Sequence, residues 1–293
     1  MDAAIDYYPT GKSIFLENYS DRYYFVTDEW FVQCAFQGNN LLVGATKLEN
    51  KEGEITLSAD DWFPVPVMSR TTFPLFVLEG DTLLATLSDT MNDVYKIVVI
   101  NLDTRRYEEY QGLDRLCTPI RFDGNIAYML YISAYGRTIV ALDIKTREVV
   151  FEYPISGIPM EWSMYKIYDG SRVISRSVRR PDNRQVREIV RVPDFKLYLE
   201  IEGDIKGVSI AQHGVFYVSE DGTHYYSTFG GETYRVNIEG DPRHDTRPVL
   251  GVHESSPDAR SIWTRLLAPG QDSYFVNYRL SQQRLQKSAR SQA

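Results

Sequence analysis

KIVVINLDTRRYEEY, residues 96–110, and TIVALDIKTREVVFEY, residues 138–153, decide how this chain is to be read, because they are two versions of one segment. At an offset of 42 residues Ile97 aligns with Ile139, Val98 with Val140, Thr104 with Thr146 and Arg105 with Arg147. Self-similarity at a fixed period signals stacked units of one kind, not a set of unrelated domains. Working outward, a small or polar turn leading into an apolar run occurs at Gly38-Asn39, Gly80-Asp81, Gly124-Asn125, Gly170-Ser171, Gly214-Val215 and Asp258-Ala259. The spacings are 42, 44, 46, 44 and 44 residues, which marks six units.

Within each unit the apolar runs are short, rich in Val, Ile, Tyr and Phe, and bounded by Gly, Asp, Asn or Pro, which is strand chemistry. In the clearest unit the expected strands are 117–122, 126–132, 138–143 and 149–154, with IKTRE as the turn between the last two. Four strands in 42–46 residues make the blade of a β-propeller, a sheet that buries its two faces only by stacking on its neighbours around a ring. The expected fold is therefore all-β, a propeller of four-stranded blades over residues 1–280 with a polar tail at 281–293. Six blades are preferred, and seven are the alternative. The last unit supplies strands near 260–267 and 273–279 and needs another strand to complete it, for which RYYFVTD at 22–28 is chosen, joining the chain ends. SIFLENY at 13–19 then stands as an extra strand.

The runs VINLDTRRY and VALDIKTREV resemble the corner between the third and fourth strands of WD40-type and quinoprotein-like propeller repeats, and the likeness covers roughly residues 30–280. No Trp-Asp dipeptide closes the third strand and no Gly-His pair opens the units; Asn101 and Asp143 stand where the hairpin begins. The resemblance implies a divergent propeller without implying a particular family.

Composition narrows the function classes. With 43% hydrophobic and 25% charged residues the chain reads as an ordinary globular protein, and no run approaches 18 uninterrupted apolar residues. MDAAIDYYPTGK has no basic and apolar leader pattern, so an intracellular, non-secreted chain is expected, and the sequon Asn18-Tyr19-Ser20 is incidental. Cys34 and Cys117 form no Cys-x-x-Cys pair, so neither a disulfide framework nor a cysteine zinc site is expected. A net charge of -8 argues against nucleic acid as a partner.

The motifs for a serine nucleophile elbow, a phosphate-binding P-loop, a dinucleotide fingerprint and an EF-hand are all missing. His253-Glu254 begins like a zincin motif, but Pro257 stands where the second histidine belongs. His224, His244 and His253 fall close in sequence, yet a strand of about 20 Å separates the loops assigned to the first two. Asp60-Asp61 reads as a turn, because adjacent strand residues point to opposite faces. No cofactor and no metal are expected. Catalysis or small-ligand binding in the central channel is the alternative to a binding function.

Two loops stand out. From Thr138 to Glu188 the repeat measures 50 residues, and the excess is assigned to a long connection around RSVRRPDNRQVRE between the second and third strands. Residues 172–191 hold seven arginines and two acids, a net +5 against -13 for the remainder. Arginine's planar fork suits carboxylate or phosphate, so Arg179, Arg180, Arg184 and Arg187 are candidate contacts for an acidic or phosphorylated segment. Pairing with nearby acids is the competing role. SEDGTHYYSTFGGE at 219–232 is taken as a second enlarged loop on the same face, with His224, Tyr225 and Phe229 as contacts and Tyr226 as a packing residue. Trp30 and Trp162 are three average repeats apart and are assigned to structural positions. The expected function is a non-enzymatic scaffold presenting these loops to a protein or peptide partner.

Overall fold

The computed structural model describes residues 4–16, 22–67, 75–89, 94–113, 115, 117–155, 158–159, 164–203, 205–239, 249–256, 258–267 and 273–281. Expected features at 1–3, 17–21, 240–248, 257 and 282–293, and those involving Trp162, His244 and the polar tail, lie outside the described residues.

Apart from one 3-10 turn at Ala59–Asp61, the described elements are strands. They hydrogen-bond mostly to their sequence neighbours, as antiparallel meanders. Sheet 1 joins Arg22–Val26, Trp30–Gln37, Asn40–Lys47 and Trp62–Pro66; sheet 2 joins Leu75–Glu79, Thr82–Asp89, Val94–Asn101 and Arg106–Gln111. Sheet 3 joins Cys117–Asp123, Ile126–Ser133, Gly136–Asp143 and Val149–Ile155. In sheet 4 the first strand is broken into Ile158–Pro159 and Tyr165–Lys166, followed by Arg172–Arg179, Gln185–Val192 and Leu197–Glu202. A larger sheet then contains a four-stranded meander, Ile205–Ile210 through Thr233–Ile238, and a three-stranded one, Val249–Ser255, Ser261–Leu267 and Ser273–Leu280, bridged by the strand Ala4–Leu16. Below, the four strands of a meander are called a to d in chain order.

Burial follows from this stacking. Strand c of sheet 3 carries Ile139, Val140, Ala141 and Leu142 in succession, all 1% exposed or less, because a sheet covered on both faces needs apolar residues at consecutive positions. Strand d of the same sheet is mostly exposed, since it forms the outer edge. Each apolar cluster spans two neighbouring meanders: Leu84, Ile97 and Met129 between sheets 2 and 3, Ile139, Ile174 and Val190 between sheets 3 and 4, and Ile14, Phe31 and Trp263 between the last meander and sheet 1.

The matched segments fold into the same corner. Asn101 accepts a bond from the Thr104 amide at 2.8 Å, and Asp143 accepts from the Lys145 and Thr146 amides at 2.9 and 3.1 Å. Arg105 and Arg147 follow with φ of 55° and 63°, the left-handed geometry that closes the turn. Strands expected at 117–122, 126–132, 138–143 and 149–154 match those of sheet 3 to within two residues.

Several expectations are corrected. The strand beside Ser273–Leu280 is Ala4–Leu16, with Tyr7 opposite Leu280 and Leu16 opposite Ser273; the segment at 22–28 instead supplies strand a of sheet 1, opposite Trp30–Gln37. The longer strand wins because Ile14, Leu16 and Tyr7 are each 3% exposed or less in that position. Gly38-Asn39 is a b–c turn, whereas the later landmarks precede strand b, so the corresponding turn of sheet 1 is at 27–29. Asp60 and Asp61 do form a turn, in which the Ser58 amide donates to Asp61 at 2.7 Å.

Candidate functional site

The long loop expected around the arginines is a tight hairpin: eight-residue strands, Arg172–Arg179 and Gln185–Val192, joined by the five residues 180–184. The Arg180 amide donates to the Arg184 carbonyl at 2.8 Å and Asn183 takes a φ of 70°. The connection 180–184 is three residues longer than the turn 134–135 of sheet 3, so it holds only part of the excess length; a further part belongs to the connection before strand b, where strand a is interrupted.

Acids of the same sheet meet most of these arginines. Arg176 and Glu188 are cross-strand partners, and the Arg176 guanidinium lies 2.7 Å from the carboxylate. Glu188 in turn stands opposite Glu200, and Arg180 bridges the two, at 2.9 Å from Glu188 and in close contact with Glu200. Without that guanidinium two like charges would face each other across the ladder. Arg184 pairs with Asp182 at 2.5 Å and Glu202 at 3.0 Å, Arg172 with Asp123, and Arg191 with Asp194. Arg187 is 5% exposed. Only Arg179, among the four candidate arginines, combines exposure with no described carboxylate contact. Adding Glu200 and Glu202 of strand d, Asp194 of the turn before it and Asp123 of the neighbouring sheet reduces the net charge around residues 172–191 from +5 to +1.

Residues 219–232 are not one loop either. They comprise a turn, the strand His224–Thr228 and a second turn. His224 opens the strand and is half-buried, which lowers its pKa by desolvation. Tyr225 stacks on its cross-strand partner Tyr217 at 5.4 Å, and Tyr226, 8% exposed, packs on Phe216 at 4.5 Å. Phe229 begins the turn at the other end of the strand. It therefore shares no end with the arginine turn, and the single face expected from sequence divides in two.

At the Phe229 end a different aromatic group comes together. Phe229 lies 5.8 Å from Tyr198 and 6.3 Å from Tyr168, and Tyr168 stacks on His213 at 5.5 Å and 18°. The Tyr168 amide donates to the Gln212 carbonyl at 3.0 Å, joining the turns of two neighbouring meanders, and the Phe229 amide donates to the His213 carbonyl at 3.0 Å, joining two turns of one meander. Tyr198 donates to Asp169 at 2.6 Å. Tyr168 remains 51% exposed and Leu197 beside Tyr198 47%. Sequence reasoning missed Tyr168 and His213, although each stands just before a landmark turn, Gly170-Ser171 or Gly214-Val215, where a side chain is delivered to one end of the sheet.

Tyr168 also borders a cavity of about 580 Å³, lined by strand a or the a–b turn of every meander. Its charged residues are Asp28, Glu29, Glu79 and Glu254 against Arg121 and Lys166. Arg121 pairs with Glu79 at 2.5 Å and donates to the Met164 carbonyl at 3.3 Å. Burial raises the pKa of Glu79, partly offset by Arg121. Asp28 is reached by solvent yet walled in by protein, and its pKa is pushed up to about 6 by burial, with Asp258 and Glu29 adding repulsion. His253 and Glu254 lie on the strand Val249–Ser255, and among the described residues no three His, Cys, Asp or Glu side chains are grouped to hold a metal ion. No described helix is long and apolar enough to cross a membrane.

No protein-family model matches the chain, and no curated protein matches it. Solved structures do. The β-propeller domain of the Trilobed protease from Pyrococcus furiosus is 13% identical over 86% of this chain and 79% of that one, with a TM-score of 0.48. Hsv2 of Kluyvelomyces marxianus is 9% identical over 86% and 74%, with a TM-score of 0.49. A chain of the Mitotic Checkpoint Complex is 11% identical over 96% and 94%, with a TM-score of 0.46. By its own strand order, successive antiparallel meanders that all line one cavity, the chain has a β-propeller fold.

Proposed function

We propose that the chain is a non-enzymatic interaction scaffold, a single six-bladed propeller spanning residues 1–280, which presents the aromatic face of Tyr168, His213, Tyr198 and Phe229 to a protein partner. In this reading the two meanders of the larger sheet are separate blades, and Ala4–Leu16 is strand d of the last one. The observation that carries the function is the exposed Tyr168–His213 stack, held on hydrogen-bonded turns of neighbouring blades. Rigid aromatic area with a polar edge costs little side-chain entropy on binding and is the kind of surface that supplies interface hot spots. The arginine turn is a second contact, through exposed Arg179. Arg180 and Arg184 already engage Glu200 and Glu202, so an acidic segment there has to displace internal carboxylates.

Quantitative capture from native lysate, comparing wild type with Tyr168→Ala/Phe229→Ala and with Arg179→Glu, tests this reading. A partner retained by wild type and lost from the aromatic variant supports it. Equal retention by the aromatic variant removes that face, and loss only from Arg179→Glu moves the contact to the arginine turn.

A further inference from the structure

We infer that the partner segment taken up by the aromatic face is basic and presents an arginine, whose guanidinium packs on the exposed ring of Tyr168 and pairs with the carboxylate of Asp169. The inference rests on the scaffold reading and names the chemistry of the partner. Three observations carry it.

First, the face has an aromatic centre with a carboxylate on either side. Tyr168, His213 and Phe229 make the centre, of which Tyr168 and His213 are exposed. On the side of sheet 4 Tyr198 donates to Asp169 at 2.6 Å, and on the side of the next meander Tyr234 donates to Glu232, which ends the turn that Phe229 begins, at 2.9 Å. Second, both carboxylates are exposed, and no described ion pair includes either. The groups that stabilise the Asp169 carboxylate are the Tyr198 hydroxyl, the Ser171 amide and hydroxyl and its own amide; no cation is among them. Nearby cations are engaged elsewhere: Arg191 pairs with Asp194, and Lys166 acts on Glu79 and Asp123.

Third, Asp169 is held ready for a forked donor. Its Oδ1 accepts from the Ser171 amide at 2.9 Å and its Oδ2 from the Tyr198 hydroxyl, which fixes the group and leaves each oxygen one further lone pair. Two parallel N–H groups of a guanidinium match that pair. The neighbouring residue of the same turn is Tyr168, 51% exposed, and a planar guanidinium also stacks on an aromatic ring, whereas an ammonium is a compact point charge. The sign is opposite to that expected from the arginine turn. There the arginines meet acids of their own sheet; at the aromatic face the unmatched charge is negative, in a chain of net charge -8, and complementary charge selects a basic partner.

Fluorescence anisotropy of the full chain with labelled hexapeptides alternating glycine with arginine, lysine, citrulline or glutamate tests the inference. The arginine peptide is expected to bind with a Kd below ~1 mM, the lysine peptide at least about threefold more weakly, and the neutral citrulline and acidic glutamate peptides not at all. Asp169→Asn and Tyr168→Ala should each weaken the arginine peptide at least about fivefold, and Tyr168→Phe, which keeps the ring, should retain it. Glu49→Gln removes one exposed charge from the c–d connection of sheet 1 and should stay within about twofold of wild type. No binding of the arginine peptide overturns the inference. So does citrulline or lysine binding equal to arginine, or a loss in Glu49→Gln as large as in Asp169→Asn, which assigns the attraction to net charge. A lysate partner captured through Tyr168 and Phe229 by a chain that ignores the arginine peptide removes the arginine and keeps the scaffold; absence of both removes both.

Discussion

Tyr7→Ala tests how the ring is closed. Tyr7 lies on Ala4–Leu16, is 1% exposed, packs edge-on against Phe216 at 6.1 Å and donates to the Ala259 carbonyl at 2.5 Å. It thus pins the N-terminal strand to two meanders at once. A tyrosine buries about 150–250 Å², which at about 25 cal/mol per Å² corresponds to roughly 4–6 kcal/mol as an upper bound. Partial collapse of the cavity brings the expected cost of Tyr7→Ala to about 3–5 kcal/mol. Tyr7→Phe keeps the ring and leaves only the Ala259 carbonyl unpaired, so about 1–3 kcal/mol is expected. For a chain of 293 residues, roughly 1.6 °C of melting temperature accompanies each kcal/mol, so Tyr7→Ala melts about 5–8 °C below wild type. Urea and thermal unfolding should be followed by circular dichroism and by tryptophan fluorescence, to which Trp263 beside Ile14 contributes. If Tyr7→Ala costs less than about 1 kcal/mol, the range of a surface substitution, the strand is not part of the core and the closure described above is wrong.

Glu188→Ala, which removes the buried carboxylate shared by Arg176 and Arg180 while Arg180 keeps Glu200, should cost about 1.5–3 kcal/mol in chemical denaturation, against at most about 1 kcal/mol for Glu202→Ala at the exposed end of Arg184. Gly214→Ala puts a Cβ inside contact distance of the Ser227 carbonyl and 2.8 Å from the Tyr226 ring, so a loss of about 1–3 kcal/mol is expected in the same assay. Cys34 and Cys117 are 0% and 4% exposed, and burial raises both thiol pKa values, Cys117 to about 11; a thiol reagent should label neither until the chain unfolds. The folded pKa of Asp28, about 6, lies above its ordinary value, so its contribution to stability is present below about pH 4 and lost as the pH rises through 6. Asp28→Asn should therefore flatten that decline in melting temperature between pH 4 and 7, and an unchanged slope would contradict the assigned environment.

The sequence speaks most clearly where a single periodic rule acts. The corner at 143–147 is local chemistry, an Asp accepting backbone amides followed by a left-handed Arg, so its match at 101–105 could be aligned by eye. Strand c of sheet 3 is covered on both faces and so is written as an unbroken apolar run. The choice of closing strand was not legible in this way, because 22–28 and 13–16 are both good strands and only the three-dimensional fit of Ile14 and Leu16 separates them. The pairing of the arginines is hidden for a related reason: their carboxylate partners Glu200 and Glu202 sit on the next strand and Asp123 in the preceding sheet, outside residues 172–191. Phe229 was joined to His224 because one short strand between two turns resembles a long loop when its residues are polar and aromatic.

In the proposed scaffold, partners meet the face bearing Tyr168. The direct measurement places a photo-crosslinking phenylalanine analogue at 168 in one variant and at 135 in another, and compares their products in native lysate. Tyr135 is 101% exposed but lies on the b–c turn of sheet 3, at the opposite end of the sheets. A discrete adduct from position 168 with none from 135 is the expected result. Adducts from 135 alone would contradict the account.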